Sequence, residues 1–296
     1  MNKSKFIRQL LSFILSLFLL LTFTDSLSAQ TGDVKYVHDP CIIKSGEYYY
    51  IFSTGNRIEI RRSKDLQNWV RLNQVFESIP EWGKQEISGV SNIWAPDIFY
   101  HDSTYYLYYA LSTFGSNTSR IGLATNKTLD PDSPDYKWID QGKVTESNSG
   151  DSYNAIDPNV AADSTGRLWL SFGSFWSGIK LIELDPATMK PKAGASLKSI
   201  ARRPNWDAIE ALFIVFKNGY YYLFVSFDNC CQGVNSTYNI RVGRSTEITG
   251  PYKDRKNNLM TPGGGSVIIQ SDNRWKGPGH CVVLLDGNNS WLVHHA

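Results

Sequence analysis

Residues 39–63, DPCIIKSGEYYYIFSTGNRIEIRRS, contain three consecutive strand patterns. Two runs of β-branched and aromatic residues flank the turn KSGE at 44–47, and a third run follows the loop TGN at 54–56. Short runs of such residues, separated by glycine, serine and asparagine, are typical of consecutive strands joined by tight turns. The stretch therefore predicts three antiparallel strands in one small sheet.

The same order of strands recurs along the chain. A strand that opens near a polar residue precedes each aromatic-rich strand, and a third strand follows in four of the five units. The aromatic-rich strands begin at Tyr48, Tyr105, Leu168, Tyr220 and Trp291. Recurrence of a sheet-sized unit predicts radial repetition, so we expect an all-β fold, a five-bladed β-propeller that occupies residues 30–296 as one domain. A β-sandwich is the alternative, but it does not explain why the same strand order recurs.

The fifth unit stops in its second strand, at Ala296, so we expect its blade to be incomplete at the C-terminus. Either the sequence is a piece of a longer chain, which we favour, or the N-terminal segment supplies the missing outer strands. An open blade would expose unpaired edge groups.

Residues 1–29 have the pattern of a cleavable secretory signal peptide. Three basic residues precede an apolar run at 10–23, and small residues follow at 26–29. The apolar run is shorter than the roughly 20 residues that span a bilayer, which disfavours the alternative of an uncleaved anchor. We therefore expect an exported protein, periplasmic or extracellular, with no membrane association after cleavage.

The composition indicates a neutral globular protein. Hydrophobic residues make up 42% and charged residues 20%, which excludes disordered, collagen-like and coiled-coil chains. Lys and Arg number 30 against 28 Asp and Glu, and removal of residues 1–29 leaves 27 of each sign. A net charge of zero gives no attraction to nucleic acid, so we expect a neutral partner and a monomer. The four cysteines are too few for a disulfide scaffold; the adjacent pair at 230–231 forms either a vicinal bridge or two free thiols.

Each predicted first strand opens with a polar residue at a matching place. These residues are Asp39, Asp97, Asp157, Glu210 and His280. First strands line the axis of a propeller, so the four carboxyls and the histidine should converge in one funnel. Carboxyls held at unequal pKa values are the groups that glycoside hydrolysis requires. The alternative is that they cap turns, since Asp-Pro is a common turn opener; Asp97 is the one we expect to be structural.

The sequence resembles glycoside hydrolase family 43 and, within it, the endo-α-1,5-L-arabinanases. The motifs that carry the resemblance cover the chain from residue 37 to residue 280. They are VHDP at 37–40, WAPDI at 94–98, STFGSNTS at 112–119, NAIDPNV at 154–160, SFGSFWSGI at 171–179, IEALF at 209–213, DNCCQGVNSTYNIRVGRS at 228–245, ITGPY at 248–252 and GPGH at 277–280. The resemblance implies an inverting mechanism with Asp39 as general base, Glu210 as general acid and Asp157 as the residue that orients the acid and tunes its pKa. Inversion implies a base–acid carboxyl separation of about 6.5–9.5 Å.

The resemblance also implies the substrate, linear α-1,5-arabinan of pectin, and the residues that contact it. The expected contacts are Trp94, Phe114, Gly115, Asn154, Ala155, Ile156, Ser174, Phe175 and Trp176. Aromatic side chains among them would stack on sugar rings. Two other functions remain open: an exo-acting arabinofuranosidase or xylosidase of the same family, and a non-catalytic arabinan-binding propeller.

The last expectation concerns a metal ion. By resemblance, His280 would hold one Ca²⁺, or another hard ion, near the axis, although calcium prefers oxygen ligands. No other histidine, cysteine and aspartate set shows metal-ligand spacing, and adjacent residues His294 and His295 should point to opposite faces of a strand. The sequence departs from the usual family motifs at Cys41, Leu212 and Cys281, and Cys281 follows the proposed ligand directly.

Overall fold

The structure, a computed structural model, describes residues 30–296; the predicted signal peptide at 1–29 lies outside the described residues. The chain forms strands in five sheets, four of which contain four or five strands and one of which contains two. One helix, α1 (Glu81–Glu86), lies between the first two sheets, although the sequence predicted none. None of the helices described is both long and apolar enough to cross a membrane.

The sheets follow one another along the chain, and all their strand pairs are antiparallel except one. The first comprises β1 (Thr31–Gly32), β2 (Cys41–Ser45), β3 (Tyr48–Ser53), β4 (Glu59–Ser63) and β5 (Asn68–Arg71). The second comprises β6 (Trp94–His101), β7 (Thr104–Leu111), β8 (Ser119–Asn126) and β9 (Ile139–Ser147). The parallel pair is β1 with β5, at the outer edge of the first sheet.

The remaining sheets repeat this order. The third comprises β10 (Asn159–Ala162), β11 (Leu168–Phe172), β12 (Ile179–Asp185), β13 (Lys190–Pro191) and β14 (Lys198–Ala201). The fourth comprises β15 (Ile209–Lys217), β16 (Tyr220–Phe227), β17 (Asn239–Ser245) and β18 (Ser266–Ile269), and the fifth comprises β19 (Gly279–Asp286) and β20 (Asn289–His295). The described N-terminal residues therefore pair with the first sheet and do not extend the fifth.

The prediction of an all-β propeller is confirmed, and the five aromatic-rich strands are β3, β7, β11, β16 and β20. The first strands contact one another in order, β2 with β6, β6 with β10, β10 with β15 and β15 with β19, and β19 contacts β2. The outermost strands β5, β9, β14 and β18 were not predicted. Their residues are largely polar or exposed, so they lack the buried apolar alternation that marks a strand in sequence.

Polar contacts join the fifth sheet to the first across the end of the ring. Asp286 at the end of β19 accepts hydrogen bonds from Lys44 Nζ at 2.8 Å and from Tyr49 OH at 2.5 Å. The apolar cores lie between neighbouring sheets; Phe52, Ile60 and Leu107, for example, pack between the first and second. The fifth sheet is thus held in place by contacts with the first as well as by its own ladder.

Candidate active site

Each first strand enters its sheet through one residue in the left-handed backbone region. These residues are Asp39 (φ 47°), Ala95 (42°), Asp157 (54°), Ala211 (52°) and His280 (46°). Residues other than glycine rarely adopt this conformation, and each instance costs of order 1–3 kcal/mol. The same strained turn at five equivalent places indicates that the backbone at this end of the ring is built to present side chains.

Side chains from the adjacent sheet hold four of these strained residues. The left-handed residue donates its backbone N–H to a side-chain acceptor in every case. The bonds run from Ala95 to Thr54 Oγ1 (2.7 Å), from Ala211 to Asp157 Oδ2 (2.8 Å), from His280 to Ser226 Oγ (2.9 Å) and from Asp39 to His295 Nδ1 (3.0 Å). The geometry of one first strand therefore depends on the polar residues of its neighbour.

The register differs from the one that the sequence predicted. Asp39, Asp157 and His280 are themselves the left-handed residues of their sheets. Glu210 comes one residue before Ala211, the left-handed residue of the fourth sheet, and Asp97 comes two residues after Ala95, the left-handed residue of the second. β-Bulges occur at 94–97, 210–213 and 279–282, so three of the first strands leave the regular ladder at their left-handed residue. Glu210 is therefore equivalent to Trp94 and not to Asp39.

Asp97 has a structural environment. Its Oδ2 accepts hydrogen bonds from the Val160 backbone N–H at 2.9 Å and from Asn159 Nδ2 at 3.3 Å, and its side chain is buried. Burial raises the pKa of Asp97 to about 7. This carboxyl connects β6 to β10, in agreement with the expectation that it is the structural member of the set.

Asp39 is surrounded by imidazole rings. Its Oδ1 lies 3.1 Å from His280 Nδ1 and 3.4 Å from His38 Nε2, and its Oδ2 accepts a 2.6 Å hydrogen bond from Thr54 Oγ1. Burial alone would raise the pKa of Asp39, but His280 and His38 hold it well below its ordinary value. The surroundings of Asp39 therefore favour the ionised form, which has the charge that a general base requires.

Glu210 has the opposite electrostatic character. Ser174 Oγ donates to Oε2 at 2.5 Å and Tyr238 OH donates to Oε1 at 2.7 Å, and only 8% of the residue is exposed. Burial raises the pKa of Glu210 above its ordinary value, and the charge on Asp39 adds to the rise, while the two hydroxyl donors oppose it. A carboxyl in this environment retains its proton to a higher pH than a free glutamate.

Asp157 lies close enough to Glu210 and Asp39 for their charges to affect its pKa. Burial raises its pKa, His280 opposes the rise, and Glu210 and Asp39 add to it. Its Oδ2 is fixed by the hydrogen bond from the Ala211 N–H, next to Glu210 in the chain. The three predicted catalytic residues are thus brought together, with one carboxyl ionised and two held towards the neutral form.

The predicted substrate contacts fall into two groups. Phe114 is 82% exposed, Gly115 is also exposed, and the Phe114 ring meets the partly buried ring of Trp94 edge-on at 6.3 Å. Phe175 and Trp176 are partly buried in the turn between β11 and β12, and both have left-handed φ angles, 49° and 38°. These five residues are available to a ligand at the carboxyl-bearing end of the ring.

The other predicted contacts are buried. Ala155 is fully buried in a core cluster and its neighbour Ile156 is 7% exposed, so contact of this segment with substrate stays a prediction. Asn154 is buried and accepts a 2.6 Å hydrogen bond from Ser119 Oγ, which anchors the loop that carries Phe114. Ser174 contacts Glu210. The motif resemblance identified the right segments, but burial separates the residues that shape the site from those that face it.

Sequence reasoning missed four residues whose side chains contact the catalytic carboxyls: His38, Thr54, Tyr238 and His295. His38, Asp39 and His295 form the one group of potential metal ligands among residues 30–296, contrary to the expectation that no second cluster existed. Pairing of His295 with Gly279 across β19 and β20 places His295 at the site, and the sequence does not reveal which residues of the two strands lie opposite each other.

The expected calcium ligand lies among these residues. His280 Nδ1 faces Asp39, which leaves Nε2 as its one ring nitrogen for an ion, and His38 and His295 also offer nitrogen. Calcium prefers six to eight oxygen ligands, so this nitrogen-rich set fits it poorly and water would have to supply most of the coordination. The calcium site stays a prediction, and the ion has no assigned part in catalysis.

The cysteines resolve into one bridge and two thiols. Cys230 and Cys231 form a vicinal disulfide, one of the two states that the sequence left open, while Cys41 and Cys281 are free and buried. Cys231 Sγ lies 3.7 Å from His38 Nε2, so the disulfide loop borders the carboxyl cluster.

Comparisons with known proteins agree with this geometry. Residues 34–296 match the family model for glycosyl hydrolases family 43. The chain is 44% identical over 286 residues to an extracellular endo-α-(1→5)-L-arabinanase of Bacillus subtilis (strain 168), covering 93% of this chain and 86% of that protein. It is 44% identical over 272 residues to an extracellular exo-α-(1→5)-L-arabinofuranosidase of Cellvibrio japonicus (strain Ueda107), covering 88% and 78%. The solved endo-arabinanase of Bacillus licheniformis superimposes with a TM-score of 0.83 at 50% identity, covering 90% of each chain.

Proposed function

Because the chain belongs to glycosyl hydrolases family 43, we propose that it is an inverting glycosidase that cleaves α-1,5-L-arabinofuranosidic bonds within linear arabinan. The observation that carries the proposal is that the surroundings of two buried carboxyls shift their pKa values in opposite directions. Asp39 has a lowered pKa and Glu210 a raised one, and glycoside hydrolysis needs one carboxylate and one carboxylic acid together.

Asp39 acts as the general base. It takes a proton from a water molecule as the water oxygen attacks the anomeric carbon of the bound arabinofuranosyl unit. Thr54 Oγ1 holds one carboxylate oxygen and His280 stabilises the charge on the other, so the carboxylate is oriented before the substrate arrives. The left-handed backbone at Asp39 fixes the direction in which the side chain leaves the strand.

Glu210 acts as the general acid. It donates its proton to the glycosidic oxygen as the bond from the anomeric carbon to that oxygen breaks. Asp157 contributes by position: its Oδ2 accepts the hydrogen bond from the Ala211 N–H and so fixes the backbone that carries Glu210. One water between base and acid gives inversion, which requires a carboxyl separation of about 6.5–9.5 Å.

Two exposed aromatic side chains support internal cleavage. Tyr36, two residues before His38, is 91% exposed, and Phe114 on the second sheet is 82% exposed. Aromatic faces stack on the apolar faces of sugar rings, so the two residues provide binding positions on separate sheets beside the reacting bond. A chain that extends past the carboxyls in both directions suits an endo-acting enzyme on the linear arabinan of pectin.

Exo-acting hydrolysis of the same bond is the second candidate function. The observation that favours it is the 44% identity to the Cellvibrio japonicus exo-arabinofuranosidase. The same carboxyls would serve it, because exo and endo action differ in what binds on either side of the bond and not in the bond-breaking chemistry. Product size therefore separates the two candidates.

The proposal extends to architecture and location. We assign the two strands β19 and β20 as the inner part of a fifth blade, since β19 contacts both β15 and β2. Residues 30–296 would form one catalytic domain that acts as a monomer, exported through a signal peptide at 1–29 into the periplasm or beyond; two relatives are named extracellular. We also predict a hydrated Ca²⁺ beside His280, which takes no part in the proposed reaction steps.

Hydrolysis of debranched arabinan with product sizing tests the function. The purified chain should lower the viscosity of the polymer and release mixed short oligomers. Glu210→Gln should lose roughly 10²–10⁴-fold in rate, while the matched control Glu183→Gln, on the third sheet, should behave like the wild type. Arabinose as the sole product would establish the exo candidate, and binding by calorimetry without hydrolysis would establish a carbohydrate-binding propeller.

A further inference from the structure

Three aromatic rings form a continuous stack between the two sides of the carboxyl cluster. The His38 and His295 rings are 4.3 Å apart with an interplanar angle of 16°, and the His295 and Tyr238 rings are 6.0 Å apart at 18°. His38 contacts Asp39 at one end, and Tyr238 donates its hydroxyl to Glu210 at the other. His295 is therefore the middle member of a stack that joins the surroundings of the base to those of the acid.

His295 also holds the backbone of Asp39. Its Nδ1 accepts the Asp39 N–H at 3.0 Å, which assigns the proton of the neutral ring to Nε2. Asp39 is one of the five left-handed residues, and the hydrogen bond offsets part of the cost of that conformation. One side chain thus contributes both to the direction of the base and to the stack that leads to the acid.

The fifth sheet fixes the position of this ring. His295 lies opposite Gly279 in the β19–β20 ladder. A Cβ atom at Gly279 would lie 1.9 Å from Tyr238 Cδ1, so the ring of Tyr238 packs directly on the glycine backbone. β19 and β20 together therefore determine how far Tyr238 lies from His38.

We propose that His295 is a positioning residue that sets the placement of Asp39 relative to Glu210. The proposal rests on the function proposed above, in which these two carboxyls are base and acid. The chemical step depends on the relative placement of the two groups to within a fraction of an ångström, whereas binding of the polysaccharide depends on residues elsewhere in the cleft. Loss of His295 should consequently lower kcat and leave KM little changed.

Two substitutions separate the contributions of His295. His295→Phe keeps a ring in the stack and removes the acceptor for the Asp39 N–H, while His295→Asn offers an acceptor oxygen near the place of Nδ1 and removes the ring. His101→Phe, at the far end of β6 from the carboxyls, is the matched control. On linear arabinan we expect His295→Phe to lose roughly 10²-fold in kcat, His295→Asn to recover part of that loss, and the control to match the wild type.

A purely structural role would lower the thermal midpoint of the variants while leaving kcat per folded molecule at the wild-type value, and that result would overturn the proposal. Crystal structures of the wild type and of both variants give a readout independent of turnover, namely the φ angle of Asp39 and the Asp39–Glu210 separation. If the wild type leaves arabinan intact, the proposed function fails, and a changed separation in His295→Phe still supports the positioning role. An unchanged separation and an unchanged φ in both variants would refute it.

Discussion

The hydrogen bond between Ser174 and Glu210 offers a quantitative test of the acid assignment. Ser174 Oγ donates to Glu210 Oε2 at 2.5 Å, both residues are buried, and the donor lowers the pKa of the acid against the effect of burial. Ser174→Ala removes a donor that favours the ionised form. The expected result is a rise in the pKa of Glu210 and therefore a shift of the alkaline limb of activity to higher pH.

The size of the shift follows from the difference between charged and neutral hydrogen bonds. A hydrogen bond to a charged group contributes about 1.5–3 kcal/mol and one between neutral groups about 0.5–1.5 kcal/mol. The ionised form of Glu210 therefore loses about 1–1.5 kcal/mol more than the protonated form. At about 1.4 kcal/mol per pKa unit, the alkaline limb should move up by about one pH unit.

The assay is the pH dependence of kcat/KM on linear arabinan, whose alkaline limb reports the acid of the free enzyme. Ser177→Ala is the matched control, because Ser177 lies in the same turn and donates to the backbone oxygen of Ser152 instead. Below the limb, the two variants should retain similar activity. An alkaline limb that stays in place or moves to lower pH in Ser174→Ala would refute the view that Glu210 acts as an acid under control of this serine.

Three further predictions concern the surrounding residues. Asp157→Ala should lower kcat on linear arabinan by roughly 10- to 10²-fold, because it leaves the Ala211 N–H beside Glu210 without its acceptor; an unchanged kcat would contradict this. Asp97→Ala should reduce the free energy of unfolding by about 1–3 kcal/mol in urea titrations, since it leaves the buried Val160 N–H without its acceptor, and an unchanged midpoint would show the contact to be dispensable. Phe114→Ala should raise KM by about two- to tenfold with kcat little changed, which corresponds to an aromatic contribution of about 0.5–1.5 kcal/mol. A fall in kcat alone would place Phe114 in the chemical step instead.

Much of the fold could be predicted because the aromatic strands and their turns carry a strong local pattern. β3 and β16, for example, begin at Tyr48 and Tyr220 as the sequence indicated, since runs of tyrosine, phenylalanine and isoleucine after a glycine turn have few alternatives. The outer strands could not be predicted because they lack such a pattern. In β18, Val267 and Ile268 are exposed, so the burial that would single out the strand does not exist.

The site was predictable in its carboxyls and not in their supporting residues. Asp39, Asp157 and Glu210 sit at the starts of repeated units, and repetition points to convergence. Asp39 occupies the left-handed position of its sheet whereas Glu210 comes one residue before it, a difference that a count of residues between strands cannot detect. His295 contributes to the site only through the pairing of β20 with β19, a non-local feature that no motif in the chain encodes.

The most direct test of the division of roles between Asp39 and Glu210 compares two substrates. Hydrolysis of linear arabinan needs protonation of a poor leaving group, whereas an arabino-oligosaccharide with a dinitrophenyl leaving group needs none. If Glu210 is the acid and Asp39 the base, Glu210→Gln should lose roughly 10²–10⁴-fold in kcat/KM on arabinan and retain most of its activity on the activated substrate. Asp39→Asn should lose activity on both. Equal losses on the two substrates in Glu210→Gln would contradict the assignment of Glu210 as the acid.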